Sequence, residues 1–204
     1  MKSKNEFFNH MAAGWDDDRR QRDESLRRVA EEADLRSGQR VLDVGAGTGV
    51  LLPFIIEKIG PEGQVIAIDY AEKMIEQLRT IHRLPDNADA LVMDIHSTSF
   101  EDEHFDRIIA NACYPHFDDK ASALKEIRRL LKPGGLFVLS HPTGRAHVND
   151  LHRRAHRLVK NDILPDSGSM LDFICTFGFE KAGVIDEDDF FLISAVASSI
   201  PVQS

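Results

Sequence analysis

From Arg40 onward, short apolar runs alternate with amphipathic stretches. The runs Arg40–Val44, Gln64–Asp69, Ala90–Asp94, Phe105–Asn111 and Leu136–Ser140 are dense in Val, Ile and Leu and do not alternate with polar residues. Strands of a parallel sheet read this way, because helices cover both of its faces. The spacing predicts helices near Gly49–Ile59, Ala71–Arg83 and Asp118–Leu131, the last capped by Asp118. Strand alternating with helix implies right-handed crossovers and a doubly wound α/β sheet. Both flanks depart from this rhythm. Before Ser37-Gly38, the residues Phe7, Phe8, Met11 and Trp15 fall at helical spacing, and Leu26, Val29, Ala30 and Ala33 make a second stripe. At the other end, Glu180–Asp186 and Asp189–Ser198 are strand-like runs separated only by an acidic turn at Glu187-Asp188. No helix fits between them, so an antiparallel hairpin at the sheet edge is expected.

Charge and cysteine usage narrow the partners. A net charge of -9 over 204 residues argues against nucleic acid or an anionic membrane as the main partner. Cys113 and Cys175 form no CxxC pair, which fits a reducing compartment. The polar start lacks a signal-peptide pattern, and no run reaches the roughly 18 apolar residues of a membrane span. A cytoplasmic protein is therefore expected. Oligomeric state is not encoded legibly.

The chemistry gathers at Gly45-x-Gly47-x-Gly49, which follows the first strand and opens a helix. Glycine permits a tight turn and close approach of backbone to a ligand. Such a loop alone is weak evidence, since any sharp strand-to-helix turn favours glycine. Two features sharpen it. A dinucleotide fingerprint would want Gly or Ala where Val50 stands, and Pro53 follows in the first helical turn, where its missing N–H costs nothing. Asp43, two residues before Gly45, would repel a diphosphate yet suits a ligand carrying an ammonium and a sulfonium. Asp69 ends the second strand, where a carboxylate can accept from both ribose hydroxyls. Asp94 ends the third, within reach of an adenine amino group, with the Ile95 backbone beside it. Each acid alone would more often be a surface or capping group. Together they point into one crevice beyond three successive strand ends.

These segments resemble the class I S-adenosylmethionine-dependent methyltransferases. Val41–Gly49 looks like their first motif, Val65-Ile66-Ala67-Ile68-Asp69 like the second-strand motif, and Leu130-Leu131-Lys132-Pro133-Gly134-Gly135 like the turn before strand five. Phe7-Phe8-x-x-Met11-x-x-x-Trp15-Asp16 is similar to the N-terminal helix that lids the cofactor in small-molecule members. The resemblance runs from Phe7 to Ala197 and implies the strand order 3-2-1-4-5-7-6 with strand seven antiparallel. It implies S-adenosyl-L-methionine as cofactor, converted to S-adenosyl-L-homocysteine, and a site comprising Asp43, Gly45, Ala46, Gly47, Thr48, Asp69, Tyr70, Met74, Asp94, Ile95, Asn111 and Trp15. One domain is expected: a helical lid (1–36), a cofactor-binding core (37–140), an insertion at the acceptor site (141–166), then a helix and the hairpin (167–204).

The acceptor should lie where the strand order reverses, beyond strands one and four. Strand four ends in Asn111-Ala112-Cys113-Tyr114-Pro115-His116-Phe117. Asn-x-x-Tyr resembles a motif of enzymes that methylate exocyclic base amines, but Ala112 and Cys113 replace its two prolines. The plainer reading gives Asn111 to the cofactor's methionyl part and Tyr114 to Phe117 to the pocket wall; Cys113 reads as a small packing residue. His116 and His141, with Tyr114, are the candidate catalytic groups, since an imidazole can take a proton near neutral pH. Simple pocket lining is their alternative. A helix over Leu151–Lys160 should roof the site with Leu151, Ala155, Leu158 and Val159. His152 and His156 would then share one face at metal-pair spacing, yet no third ligand is identifiable and no metal is expected. Arg145 suits an acidic substrate group or a solvated face equally. The leading expectation is methylation of a small molecule. The rivals are a nucleic-acid or protein N-methyltransferase, and a protein that binds the cofactor without transferring its methyl.

Overall fold

The computed structural model describes residues 1–15 and 23–199. Asp16 of the N-terminal motif, and residues 200–204 of the last segment, lie outside the described residues. The chain begins with α1 (Lys4–Met11), capped by Ser3, and a single 3-10 turn over Ala12–Gly14. Next comes α2 (Asp23–Glu32), whose Leu26, Val29 and Ala30 are buried as the stripe requires. The predicted alternation follows: β1 (Arg40–Val44), α3 (Leu52–Ile59), β2 (Gln64–Asp69), α4 (Glu72–Ile81), β3 (Ala88–Val92), β4 (Phe105–Asn111), α5 (Lys120–Leu130) and β5 (Leu131–His141). After these come α6 (Arg145–Arg154), α7 (Ser167–Cys175), β6 (Phe179–Asp186) and β7 (Phe191–Ala197).

The described strands form a seven-stranded sheet in the order β3-β2-β1-β4-β5-β7-β6. The first four pairings are parallel; β7 runs antiparallel between β5 and β6. This is the class I order, with the hairpin where the spacing put it. Its two faces pack differently. Leu42, Val44, Ile108 and Ala110 meet α5 and α7, while Val41, Ile109 and Val138 meet α2 and α3. Because side chains alternate across a strand, a buried run on both faces is the price of sitting mid-sheet.

Four local expectations need correction. The cap of α5 is Asp119, whose side chain accepts from Ser122 N, because Asp118 turns outward to Lys4. Strand β3 sits two residues earlier than Ala90–Asp94, so Asp94 lies in the loop beyond Val92. The helix expected over Leu151–Lys160 is instead α6, ending at Arg154; Leu151 is half exposed, and Val148 and Asn149 face inward. Asn149 holds the following segment by exchanging hydrogen bonds with the backbone of Leu164, which ends the helical run. His156 therefore lies outside the helix, and it does not share a helical face with His152.

Candidate functional site

The glycine loop folds back on the second strand. Gly45, Gly47 and Gly49 all have positive φ (63°, 56° and 83°), which side chains with a Cβ rarely adopt. At Gly45 space is also decisive: a Cβ would stand 2.5 Å from Cβ of Cys113. Cys113 is drawn that close because its thiol donates to the Val44 carbonyl at 3.0 Å. Three of the loop amides are bonded within the protein. Ala46 N donates to Ile68 O (3.0 Å), Gly47 N to Asp69 Oδ2 (3.0 Å) and Gly49 N to Ala46 O (2.9 Å).

Two acids flank this loop. Asp69, at the end of β2, also accepts from Ala71 N at 2.8 Å, so each oxygen holds one backbone donor and keeps a lone pair toward the cavity. Burial pushes its carboxyl above the ordinary range against those two donors. Asp43 is 1% exposed, and its Oδ2 has no hydrogen-bond partner. Burial, then the charge of Asp69, pushes the Asp43 carboxyl up to about 8. An orphaned buried acceptor of this kind calls for a donor from outside the chain.

Two cavities share Gly45 and Asp69. The smaller, about 110 Å³, is lined by Asp43, Ala46, Gly47, Thr48, Met74 and Asn111, with Trp15 at its mouth. The larger, about 340 Å³, is lined by Tyr70, Asp94, Ile95 and His116 of the expected set, and by Phe8, Met93 and Phe117. Trp15 remains 41% exposed, whereas Phe8 is buried against Tyr70 and His116. Asn111 accepts from the Ser140 hydroxyl at 3.0 Å, which fixes its amide at the end of β4. Asp94 turns back to accept from His96 N, within its own loop.

Two expected catalytic residues are not brought to either cavity. Tyr114 is 2% exposed in the core, under Lys120 and against Phe117, and burial pushes its phenol up to about 12. It is directed inward because the 3-10 turn Tyr114–His116 presents one ring to the core and the next to the cavity. His141 ends β5 opposite Phe191 and is buried at 6% exposure, lining neither cavity. Arg145 is tied to Asp186 at 2.9 Å at the edge of the hairpin. His116, by contrast, lies in the cavity wall with Nδ1 2.8 Å from Asp162 Oδ2, and Asp162 also takes the Lys4 ammonium at 2.9 Å. Neither Lys4 nor Asp162 stands out in the sequence: they are 158 positions apart, on segments with no motif.

The residues present fit S-adenosylmethionine and do not fit a dinucleotide. A diphosphate would need free loop N–H groups and a positive surrounding. Here the amides of Ala46, Gly47 and Gly49 are internally bonded, and two buried carboxyls face the same space. An ammonium would satisfy Asp43, and a ribose diol the open side of Asp69. Residues 35–172 match a family model described as a methyltransferase domain. The chain is 32% identical over 149 residues to the ubiquinone/menaquinone biosynthesis C-methyltransferase UbiE of Shewanella frigidimarina, covering 71% of this chain and 58% of that protein. It spans between a third and three-fifths of the length of the curated relatives it matches. Among solved structures, a SAM-dependent methyltransferase of Aquifex aeolicus superposes with a TM-score of 0.77 at 21% identity, covering 93% of this chain and 98% of that one. A Haloferax volcanii protein solved in complex with the Trm112 methyltransferase activator gives 0.79 at 19% identity, covering 94% and 97%. With the site's acids, the sheet order and a family match over most of its length, the chain belongs to the class I, S-adenosylmethionine-dependent methyltransferase-domain family.

Proposed function

We propose that this protein transfers a methyl group from S-adenosylmethionine to a small molecule with an apolar body. When bound, the cofactor supplies an electrophilic methyl on a cationic sulfur. The chain's contribution is to hold, orient and keep water out. Asp43 takes the ammonium and Asp69 the ribose hydroxyls, while Phe8 and Tyr70 roof the space. His116 accepts the proton that the acceptor gives up. Burial holds its imidazole below the usual range, so it is neutral and able to accept near pH 7.

The single observation carrying this reading is that Phe8, His116 and Phe117 share the walls of the larger cavity with Asp69, Tyr70, Asp94 and Ile95, the residues that would take the adenosyl part, so the acceptor's apolar body would lie against those rings. A half-open space of that kind, walled by Phe8, Tyr70 and Phe117, suits a small apolar body better than a strand of nucleic acid. UbiE, by its name a C-methyltransferase in quinone biosynthesis, supports an acceptor of this class. The test is to incubate the protein with methyl-tritiated S-adenosylmethionine and fractionated cell extract. Label should enter an organic-extractable small molecule. Label found only in acid-precipitable protein or nucleic acid would sink the proposal, as would the absence of any labelled product.

A further inference from the structure

His116 belongs to a buried polar cluster assembled from three distant parts of the chain. Its Nδ1 lies 2.8 Å from Asp162 Oδ2. The other oxygen of Asp162 accepts from Lys4 Nζ at 2.9 Å, and Lys4 also donates to the His116 carbonyl at 3.2 Å. The side chains of Lys4, His116 and Asp162 are only 17%, 13% and 12% exposed. On the far side, the His152 ring is 4.9 Å from that of His116, and its Nδ1 is bonded to the Asp162 carbonyl. Phe8 closes the remaining edge at 5.0 Å.

Withdrawing an ammonium and a carboxylate from water is costly, and apolar packing of similar volume would often be as stable. The arrangement makes sense for orientation. A carboxylate at Nδ1 draws the proton to that nitrogen, which leaves the lone pair of the neutral ring on Nε2. No described residue bonds Nε2, and the ring is part of the cavity wall. We propose that Asp162 and Lys4 are positioning residues for His116, and that Lys4, carried on α1, makes the orientation of this base depend on α1 being seated over the cavity. The proposal rests on His116 being the proton acceptor described above. Lys4 does two things from one helix: it holds Asp162 ionised and it pins the backbone that carries His116. Phe8, one turn further along α1, roofs the same cavity, so covering the acceptor and aligning the base are one event.

The groups facing His116 are Lys4 from α1, His152 from α6 and Asp162 from the segment between α6 and α7, with Asp118 beyond Lys4. Burial, then His152 and Lys4, lower its affinity for a proton; Asp162 opposes them. The two positioning residues therefore act with opposite sign, which simple structural support would not do.

The test uses the full chain labelled with 15N-histidine, with His116→Gln to assign the signal. At neutral pH the wild-type ring should be the Nδ1–H tautomer. Asp162→Asn should abolish that preference and move the His116 titration to lower pH, whereas Lys4→Met should move it to higher pH. Lys4→Arg should restore the wild-type midpoint. With the labelled acceptor identified above, Asp162→Asn should lower kcat about tenfold or more with KM for S-adenosylmethionine nearly unchanged. The rising limb of its pH profile should follow the NMR midpoint. Each variant must keep a cooperative melt and bind S-adenosylhomocysteine within about threefold of wild type, and His116→Gln stands in for any that does not. An Nε2–H tautomer in the wild type, shifts of the same sign in both variants, or unchanged kcat in Asp162→Asn would overturn the proposal. Absence of any labelled product would refute methyl transfer itself, while the tautomer still decides the orientation.

Discussion

Replacing Asp43 with Asn should stabilise the ligand-free protein and weaken its hold on the cofactor. The carboxyl is 1% exposed with an orphaned oxygen, and its pKa is raised from 3.8 to about 8 by burial and then by Asp69. A raised folded-state pKa in an acid means that the folded protein keeps a proton the unfolded chain has lost. Stability from this group is therefore intact below about pH 4, falls by roughly 1.4 kcal/mol per unit, and levels off above about pH 8. At pH 7 the penalty is on the order of 4 kcal/mol, and at pH 5 about 1.6 kcal/mol. Asparagine carries its own unsatisfied amide, but that cost does not change with pH. The measurement is urea unfolding of wild type and Asp43→Asn at pH 5, 6, 7 and 8, without ligand and with saturating S-adenosylhomocysteine. Without ligand, the gap in favour of Asn should widen by roughly 3 kcal/mol from pH 5 to 7, which is roughly 6–12 °C in Tm for a chain of this size. With ligand the gap should shrink or reverse, because an ammonium compensates only the carboxylate. Calorimetry at pH 7 should also show wild type releasing up to one proton on binding and the variant releasing none. Parallel stability curves across this pH range would refute the argument.

Three further outcomes follow from the same geometry. Asp69→Ala frees the amides of Gly47 and Ala71 and removes the carboxylate proposed for the ribose, so most of the Tm rise caused by S-adenosylhomocysteine should disappear in a thermal melt; NAD should cause no rise in the wild type. Gly45→Ala must adopt φ near 63° against Cys113, and denaturant melts should show a loss of about 2–4 kcal/mol together with failed ligand binding. Glu126, bonded by Arg129 and by the hydroxyl and amide of Thr98, is held at about 2. A depressed acid stabilises above its ordinary pKa, so wild type should exceed Glu126→Gln by about 1 kcal/mol at pH 7 after solvent screening. That difference should vanish as pH falls from about 4.5 toward 2 in acid titrations of the two proteins.

What the sequence determined by itself is what repeats locally. Val, Ile and Leu runs with no polar alternation mark central strands, and an acidic turn too short for a helix marks the hairpin of β6 and β7. The glycine loop with Asp43 was legible because a strand end and the turn after it are contiguous, and Asp69 because it ends the next parallel strand at the same edge of the sheet. Boundaries were less so. The cap of α5 passed to Asp119 because Asp118 is taken by Lys4, a residue more than a hundred positions away. The helix after β5 starts and stops early because Asn149 binds the backbone at Leu164. Which ring of Tyr114-Pro115-His116 enters the core and which the cavity is fixed by a single 3-10 turn, and no periodicity can be read from three residues. The cluster of Lys4, His116 and Asp162 was invisible for the deepest reason: its members share no local pattern, and only the packing of α1 and the segment after α6 over the end of β4 brings their charges within hydrogen-bond reach. Local chemistry thus wrote the glycine loop and its acids, while the pairing of His116 with Asp162 and Lys4 exists only in the folded arrangement.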